Sequence, residues 1–159
     1  MPEASTMNSH EHFMQEALAE AAKAAAKGEV PIGAVAVLNG EVVARAHNVR
    51  EATQDPLGHA ELLLLKNLSE SLKSWRCFEE VTVYVTVEPC IMCMGALIQA
   101  RVTRVVFGCL EPKMGACGSL YNFSNDARLH HKIEVVSDVL RDECAGMLQN
   151  FFKELRKAV

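Results

Sequence analysis

Val81-Thr82-Val83-Tyr84-Val85-Thr86-Val87-Glu88-Pro89-Cys90-Ile91-Met92-Cys93 changes character twice. Its first seven residues are rich in β-formers and apolar on both alternating faces, the pattern of a central strand covered on both sides. Glu88-Pro89 breaks that strand. Proline suits the first turn of a helix, where its missing N–H has no partner to lose, so Cys90 to Ala100 is predicted as helix. A buried strand running directly into a helix points to an α/β fold.

The Cys90-x-x-Cys93 pair is ambiguous alone: a redox pair, half a zinc ribbon or chance. Upstream stands His59-Ala60-Glu61. One imidazole and two thiols are three good zinc ligands, and a site with three protein ligands leaves a fourth position for water. Structural zinc sites usually close with four, and no fourth is evident here. Cys90 and Cys93 are three apart and share a helix face. His59 and Cys90 each follow a loop and open a helix, where free N–H groups and partial positive charge favour a thiolate. Two thiolates and an imidazole cancel the charge of Zn²⁺, so the water is acidified less than under three imidazoles. A nearby base becomes necessary, and Glu61 is assigned as proton shuttle, since as a ligand it would close the site. The chemistry expected is hydrolytic attack on an electrophilic ring carbon bearing an exocyclic amine. Glu61 takes the water's proton, passes it to the adjacent ring nitrogen and then protonates the departing amine.

Outward from this core the elements follow in order. A first helix is predicted from about Glu11 to Lys27, capped near Ser9 and ended by Gly28, with Phe13, Ala17, Leu18, Ala21, Ala24 and Ala25 as its buried stripe. Gly33 to Leu38 and Glu41 to His47 form a hairpin about Asn39-Gly40. Asn48 to Gly58 is loop, and His59 to Leu68 a second helix. After the helix at Cys90, Val102 to Cys109 is a strand. Glu111 to Arg128 is largely loop, with room for one short helix. Lys132 to Ser137 is a fifth strand. A last helix, about Arg141 to Lys157, is capped by Asp138 or a neighbour. The order α-β-β-α-β-α-β-β-α predicts one sheet covered on both faces, a three-layer α/β/α sandwich with a five-stranded mixed sheet. The first two strands pair as a hairpin; later ones need crossovers and are expected parallel.

The chain has 159 residues, which suits a single domain over 1–159. No apolar run reaches the ~18 residues of a membrane span. Met1-Pro2-Glu3-Ala4-Ser5-Thr6 has neither the basic region nor the apolar core of a signal peptide, so a cytoplasmic location is expected. Of six cysteines, Cys77, Cys109, Cys117 and Cys144 are scattered and read as small buried hydrophobes. The net charge of −4 argues against a general nucleic-acid binder but permits a local basic patch.

His-x-Glu followed by Pro-Cys-x-x-Cys is a signature of the zinc nucleobase deaminases. Beyond it, the chain resembles the bacterial-type tRNA-specific adenosine deaminases over nearly its whole length. The resemblance is carried by Glu29-Val30-Pro31-Ile32-Gly33-Ala34-Val35, by Asn48, and by Asp55-Pro56 with His59-Ala60-Glu61. Further blocks are Glu88 to Ala96, Gly115-Ala116-Cys117-Gly118-Ser119-Leu120 and Asp142-Glu143-Cys144-Ala145 with Phe151-Phe152. The zinc motif alone is shared with cytidine, guanine and deoxycytidylate deaminases.

The resemblance implies conversion of the wobble adenosine of a tRNA anticodon to inosine. It implies one Zn²⁺ per subunit and a homodimer with the anticodon stem-loop bound near the subunit interface. Asn48 matches a position that hydrogen-bonds the target nucleoside, and Val30 one that packs on it; Asn48 also fits a turn residue. Ala60, Glu111 and Phe151 complete the expected substrate contacts. Glu111 stands where the family usually carries Asp, and Leu129-His130-His131-Lys132 where Asn-His-Arg is common, so RNA contact in those segments is left open. His130 and His131 also read as plain loop residues. Phe151-Phe152-Lys153-Glu154-Leu155-Arg156-Lys157 reads two ways: a basic end complementing the helix dipole, or RNA contact with one Phe packed on a base. The helix after Cys90 is apolar nearly all round, to be buried by its own core or by a second subunit. Two rival functions are a free-base or nucleoside deaminase and a catalytically dead zinc scaffold; the intact Glu61 speaks against the second.

Overall fold

A computed structural model describes residues 4–77 and 79–158; Met1, Pro2 and Glu3, part of the stretch read for a leader, lie outside it. The elements are α1 (Ala4–Ala26), β1 (Gly33–Leu38), β2 (Glu41–His47), α2 (Arg50–Thr53), α3 (Ala60–Leu72), β3 (Val81–Val87), α4 (Ile91–Gln99), β4 (Arg104–Cys109), β5 (Glu134–Val136) and α5 (Arg141–Lys157). The five strands form one mixed sheet in the order β2-β1-β3-β4-β5. β1 pairs antiparallel with both β2 and β3, while β3, β4 and β5 run parallel. The sheet is therefore mixed as expected, although β3 meets its neighbour β1 antiparallel. It runs parallel to β2, the strand that precedes it in the chain, with β1 between them.

Alternation along the strands builds two cores. Ala34, Ala36, Val81, Val83, Val85, Val105 and Phe107 face one layer with Leu64, Leu68, Met94 and Leu97 of α3 and α4. Val35, Val37, Tyr84, Val106 and Cys109 face the other, with Met14, Ala17 and Leu18 of α1 and Cys144 of α5. Every residue of β3 is buried, which is why its sequence shows no polar face. Gly33 lets α1 lie against β1: a Cβ there would stand 2.1 Å from the Ala17 carbonyl oxygen.

Several boundaries differ from expectation for identifiable reasons. α1 begins at Ala4, not near Glu11, and Ser9 lies inside it, not at its cap. Nothing in Ala4–His10 breaks a helix, and Met7 and His10 continue the apolar side that Met14 begins. The expected loop 48–58 contains the single turn α2. α3 runs on to Leu72, because nothing before Lys73 stops it. Leu140, not Asp138, occupies the position before α5, with no side-chain cap. β5 is only Glu134–Val136, as long as its parallel pairing with Arg104–Val106 of β4. Cys77, Cys109, Cys117 and Cys144 are buried. No helix among the described residues is long and apolar enough to cross a membrane.

Candidate active site

The carboxyl end of β3 runs through Glu88-Pro89 into α4, and β4 ends beside it at Cys109. Crevices outside the carboxyl ends of parallel strands are where α/β folds place ligands. Here the crevice also meets the start of α3. His59 occupies the N-cap position of α3 and Cys90 that of α4, neither using its side chain as a cap. Both side chains are thereby free to turn into the crevice.

They meet there with Cys93. His59 Nδ1 stands 3.7 Å from Cys90 Sγ and 3.6 Å from Cys93 Sγ. The three donor atoms lie within 4.8 Å of one another. A tetrahedral ion with bonds of about 2.3 Å to sulfur and about 2.0–2.1 Å to nitrogen holds those atoms roughly 3.6 Å apart. The donor set and spacing thus fit zinc. Cys90 is pulled down to about 4, first by its hydrogen bond with Cys93 and then by His59, while burial opposes. The same bond, with burial, pushes Cys93 up. The two thiols titrate as a pair that shares a proton. His59 is raised, chiefly by its bond with Cys90.

Glu61 lies in the first turn of α3 and is only 4% exposed. Burial pushes its carboxyl up to about 7, and the nearby Cys90 charge adds to this. A carboxyl in that range can both take and give a proton near neutrality.

The cavity over the cluster has a volume of about 480 Å³. Val30, Asn48, His59, Glu61, Cys90 and Glu111 line it. Asn48 is buried, and its Oδ1 accepts from the Ala60 N–H at 2.9 Å. This assigns the amide orientation and leaves Nδ2 as a donor. Ala60 is fully buried and takes part through its backbone, not as part of the cavity lining. Phe151 lies elsewhere, lining a separate groove with Ala25 and Met147. Its neighbour Phe152 is the aromatic that reaches the cavity. Adjacent helical residues point about 100° apart, so only one of the pair can face the cleft.

The sequence reading missed Ile32, Arg50, Val87, Glu88, Met92, Met114 and Leu148 as lining residues. Only Glu88 carried a signal, a charge set directly after an all-buried strand. Of the two loop histidines, His131 donates Nε2–H to the Val102 carbonyl at 2.7 Å, a bond that ties the loop to the sheet. His130 is exposed.

Residues 8–156 match the MafB19-like deaminase family. The tRNA-specific adenosine deaminase of Bacillus subtilis is 53% identical over 151 residues, covering 95% of this chain and 93% of that protein. A solved structure from work on A-to-I editing by tRNA:A34 deaminases at the wobble position of transfer RNA is 40% identical. It superposes with a TM-score of 0.82, covering 86% of this chain and 99% of its own. A guanine deaminase from Nitrosomonas europaea, 21% identical with a TM-score of 0.77 over 89% of this chain and 83% of its own, shares the fold.

Proposed function

The chain belongs to the tRNA-specific adenosine deaminase family, and from that membership we propose that it converts the wobble adenosine of a tRNA anticodon to inosine by hydrolytic deamination. The observation that carries the reading is the His59, Cys90 and Cys93 donor cluster with Glu61 buried beside it at the floor of the cavity. His59, Cys90 and Cys93 would hold one zinc per chain. Bound there, zinc supplies Lewis-acid activation of a water.

The chain's own groups do the rest. Glu61 accepts one proton of the attacking water and delivers it to the ring nitrogen beside the amine-bearing carbon, then takes the second proton from the hydroxyl newly bound to that carbon and passes it to the amine. The amine leaves as ammonia and the ring keeps the oxygen. Glu61's raised affinity for protons suits both directions of transfer. Asn48 Nδ2 is the donor to the nucleoside, and Val30 offers the apolar surface on which it packs. Glu111 borders the same cavity. An anticodon loop presents its base already unpaired, which spares the enzyme the unstacking that a duplex demands. Of the two phenylalanines, Phe152 borders the cavity and is the one to pack on a base.

A homodimer belongs to the same reading. Trp75 is 66% exposed beside an apolar groove of Leu65, Leu72, Ala96 and Ala100, a face suited to a second copy. A cytoplasmic location follows from a tRNA substrate.

The deciding experiment treats an adenosine-bearing anticodon stem-loop with the purified protein and analyses its nucleosides. Inosine at the wobble position is expected. Rapid deamination of free guanine or cytidine with the stem-loop left intact would establish the rival reading instead.

A further inference from the structure

Two connections wall the cleft, residues 48–59 ahead of α3 and 110–121 after β4. Their own apolar hold is slight: in the second, Ala116 and Cys117 join the core. α2 has no buried residue, and Leu57 is exposed. Leu110, Met114, Leu120 and Tyr121 are likewise exposed.

Each connection is instead fastened to one buried carboxylate. Glu29, 1% exposed, accepts from the backbone N–H groups of Glu51 and Ala52 at 3.1 and 2.5 Å. Glu88, 2% exposed, accepts from the N–H groups of Glu111, Cys117 and Ser119 at 3.1, 3.0 and 3.0 Å, and from the Ser119 hydroxyl. Neither carboxylate joins an ion pair among the described residues. A buried charge must be satisfied by hydrogen bonds, and convergent backbone N–H groups suit an anion. The wrap about Glu88 is close: a Cβ on Gly115 would stand 2.5 Å from Glu88 Oε2. The Pro89 carbonyl also accepts from the Ala116 N–H at 2.9 Å.

The chain places both anchors against the site. Val30 follows Glu29, and Pro89-Cys90 follows Glu88. We propose that Glu29 and Glu88 are positioning residues that hold the two cleft walls at a set distance from the ligand cluster. They thereby govern affinity for the anticodon and not the rate of the chemical step. The affinity arm rests on the tRNA reading above; the wall arm does not.

The test compares full-length Glu29→Gln and Glu88→Gln with the parent protein. Glutamine replaces one acceptor oxygen by an NH₂ that faces N–H donors. Hydrogen–deuterium exchange is expected to quicken at residues 111–119 in Glu88→Gln alone and at residues 51–52 in Glu29→Gln alone. Zinc content is expected to match the parent. On an anticodon stem-loop, KM is expected to rise roughly tenfold with kcat within about twofold, the effect of a lost charge-assisted hydrogen bond on binding alone. Unchanged exchange at those amides, a lowered kcat at unchanged KM, or loss of zinc each overturns the proposal. If Glu88→Gln does not fold, Ser119→Ala, which removes one hydroxyl bond, is expected to quicken exchange at residues 117–119; unchanged exchange there overturns it. Exchange needs no substrate, so failure of the tRNA reading shows separately, as parent protein that leaves the stem-loop intact.

Discussion

At the scale of single residues, Glu61 and Asn48 divide the work differently. Glu61 sits in α3 without acting as a ligand in the proposed scheme. Glu61→Gln keeps its shape and removes the transferable proton. It is expected to bind zinc like the parent and to lose at least about a hundredfold in kcat, the usual scale for a general acid–base. Elemental analysis beside single-turnover kinetics checks both halves, and retained turnover would remove Glu61 from its role. Asn48 accepts the Ala60 N–H with its oxygen, which leaves Nδ2 as the proposed donor to the nucleoside. Asn48→Asp preserves the acceptor and deletes the donor, so KM should rise, while the carboxylate it buries adds a desolvation cost of its own. Asn48→Ala deletes both and should also lose about 1 kcal/mol of stability, the typical worth of such a bond. Stability of Asn48→Ala equal to the parent's would show that the Ala60 bond contributes nothing.

At the scale of elements, α1 is clasped to β3 by a buried pair. His10 Nδ1 lies 2.8 Å from the Tyr84 hydroxyl. Burial lowers the His10 pKa, the Arg104 charge lowers it further, and Glu134 opposes. Burial also pushes Tyr84 up to about 12, so the phenol is neutral at all working pH values. Because His10 binds a proton less readily folded than unfolded, acid favours the unfolded chain. Its share of stability is present above the ordinary histidine value of about 6.5 and is lost as pH falls below it. His10→Gln should flatten the drop in urea midpoint between about pH 6.5 and 5 relative to the parent. Parallel slopes would show that the drop comes from other groups. Elements with a strong period were legible in the chain; β3 and the 39–40 hairpin stand where they were expected. The start of α1 was not, since Ser9 is an acceptable cap and also an acceptable interior residue. The packing of Met7 and His10 on the sheet decides between them.

At the scale of the whole molecule, α5 is held mainly by its first half. Cys144 is its one fully buried residue, and Phe152 to Lys157 are exposed. Truncation after Gln149 should therefore leave the fold and the zinc in place. It removes Phe152 from the cleft together with Lys153, Arg156 and Lys157, so the stem-loop concentration needed should rise. The dependence of log affinity on log salt should become shallower, as fewer phosphates are neutralised. An unchanged slope would assign those cations to the helix dipole alone. Assembly is tested by sedimentation at micromolar concentration, with a mass of two chains expected. α4 buries Cys93, Met94, Leu97 and Ile98 within its own chain and leaves Gly95 and Gln99 exposed. A second copy therefore has the Trp75 groove to cover, not the whole helix. A mass of one chain would count against the dimer.

By itself the sequence determined the layered α/β order and singled out His59, Cys90, Cys93 and Glu61, which the fold brings together. These rest on local facts: ligand chemistry, helix-start positions, and periods of two and of three to four residues. The tertiary structure alone decided which phenylalanine reaches the cleft, because a helix's rotation about its axis is set by what it packs on. It alone decided that Asn48 is a buried acceptor for Ala60 as well as a cleft residue. The anchoring of the cleft loops by Glu29 and Glu88 was likewise illegible. Their partners lie 22 to 31 residues away along the chain. Those partners are mostly backbone N–H groups, which every residue but proline carries and which no side-chain pattern can announce.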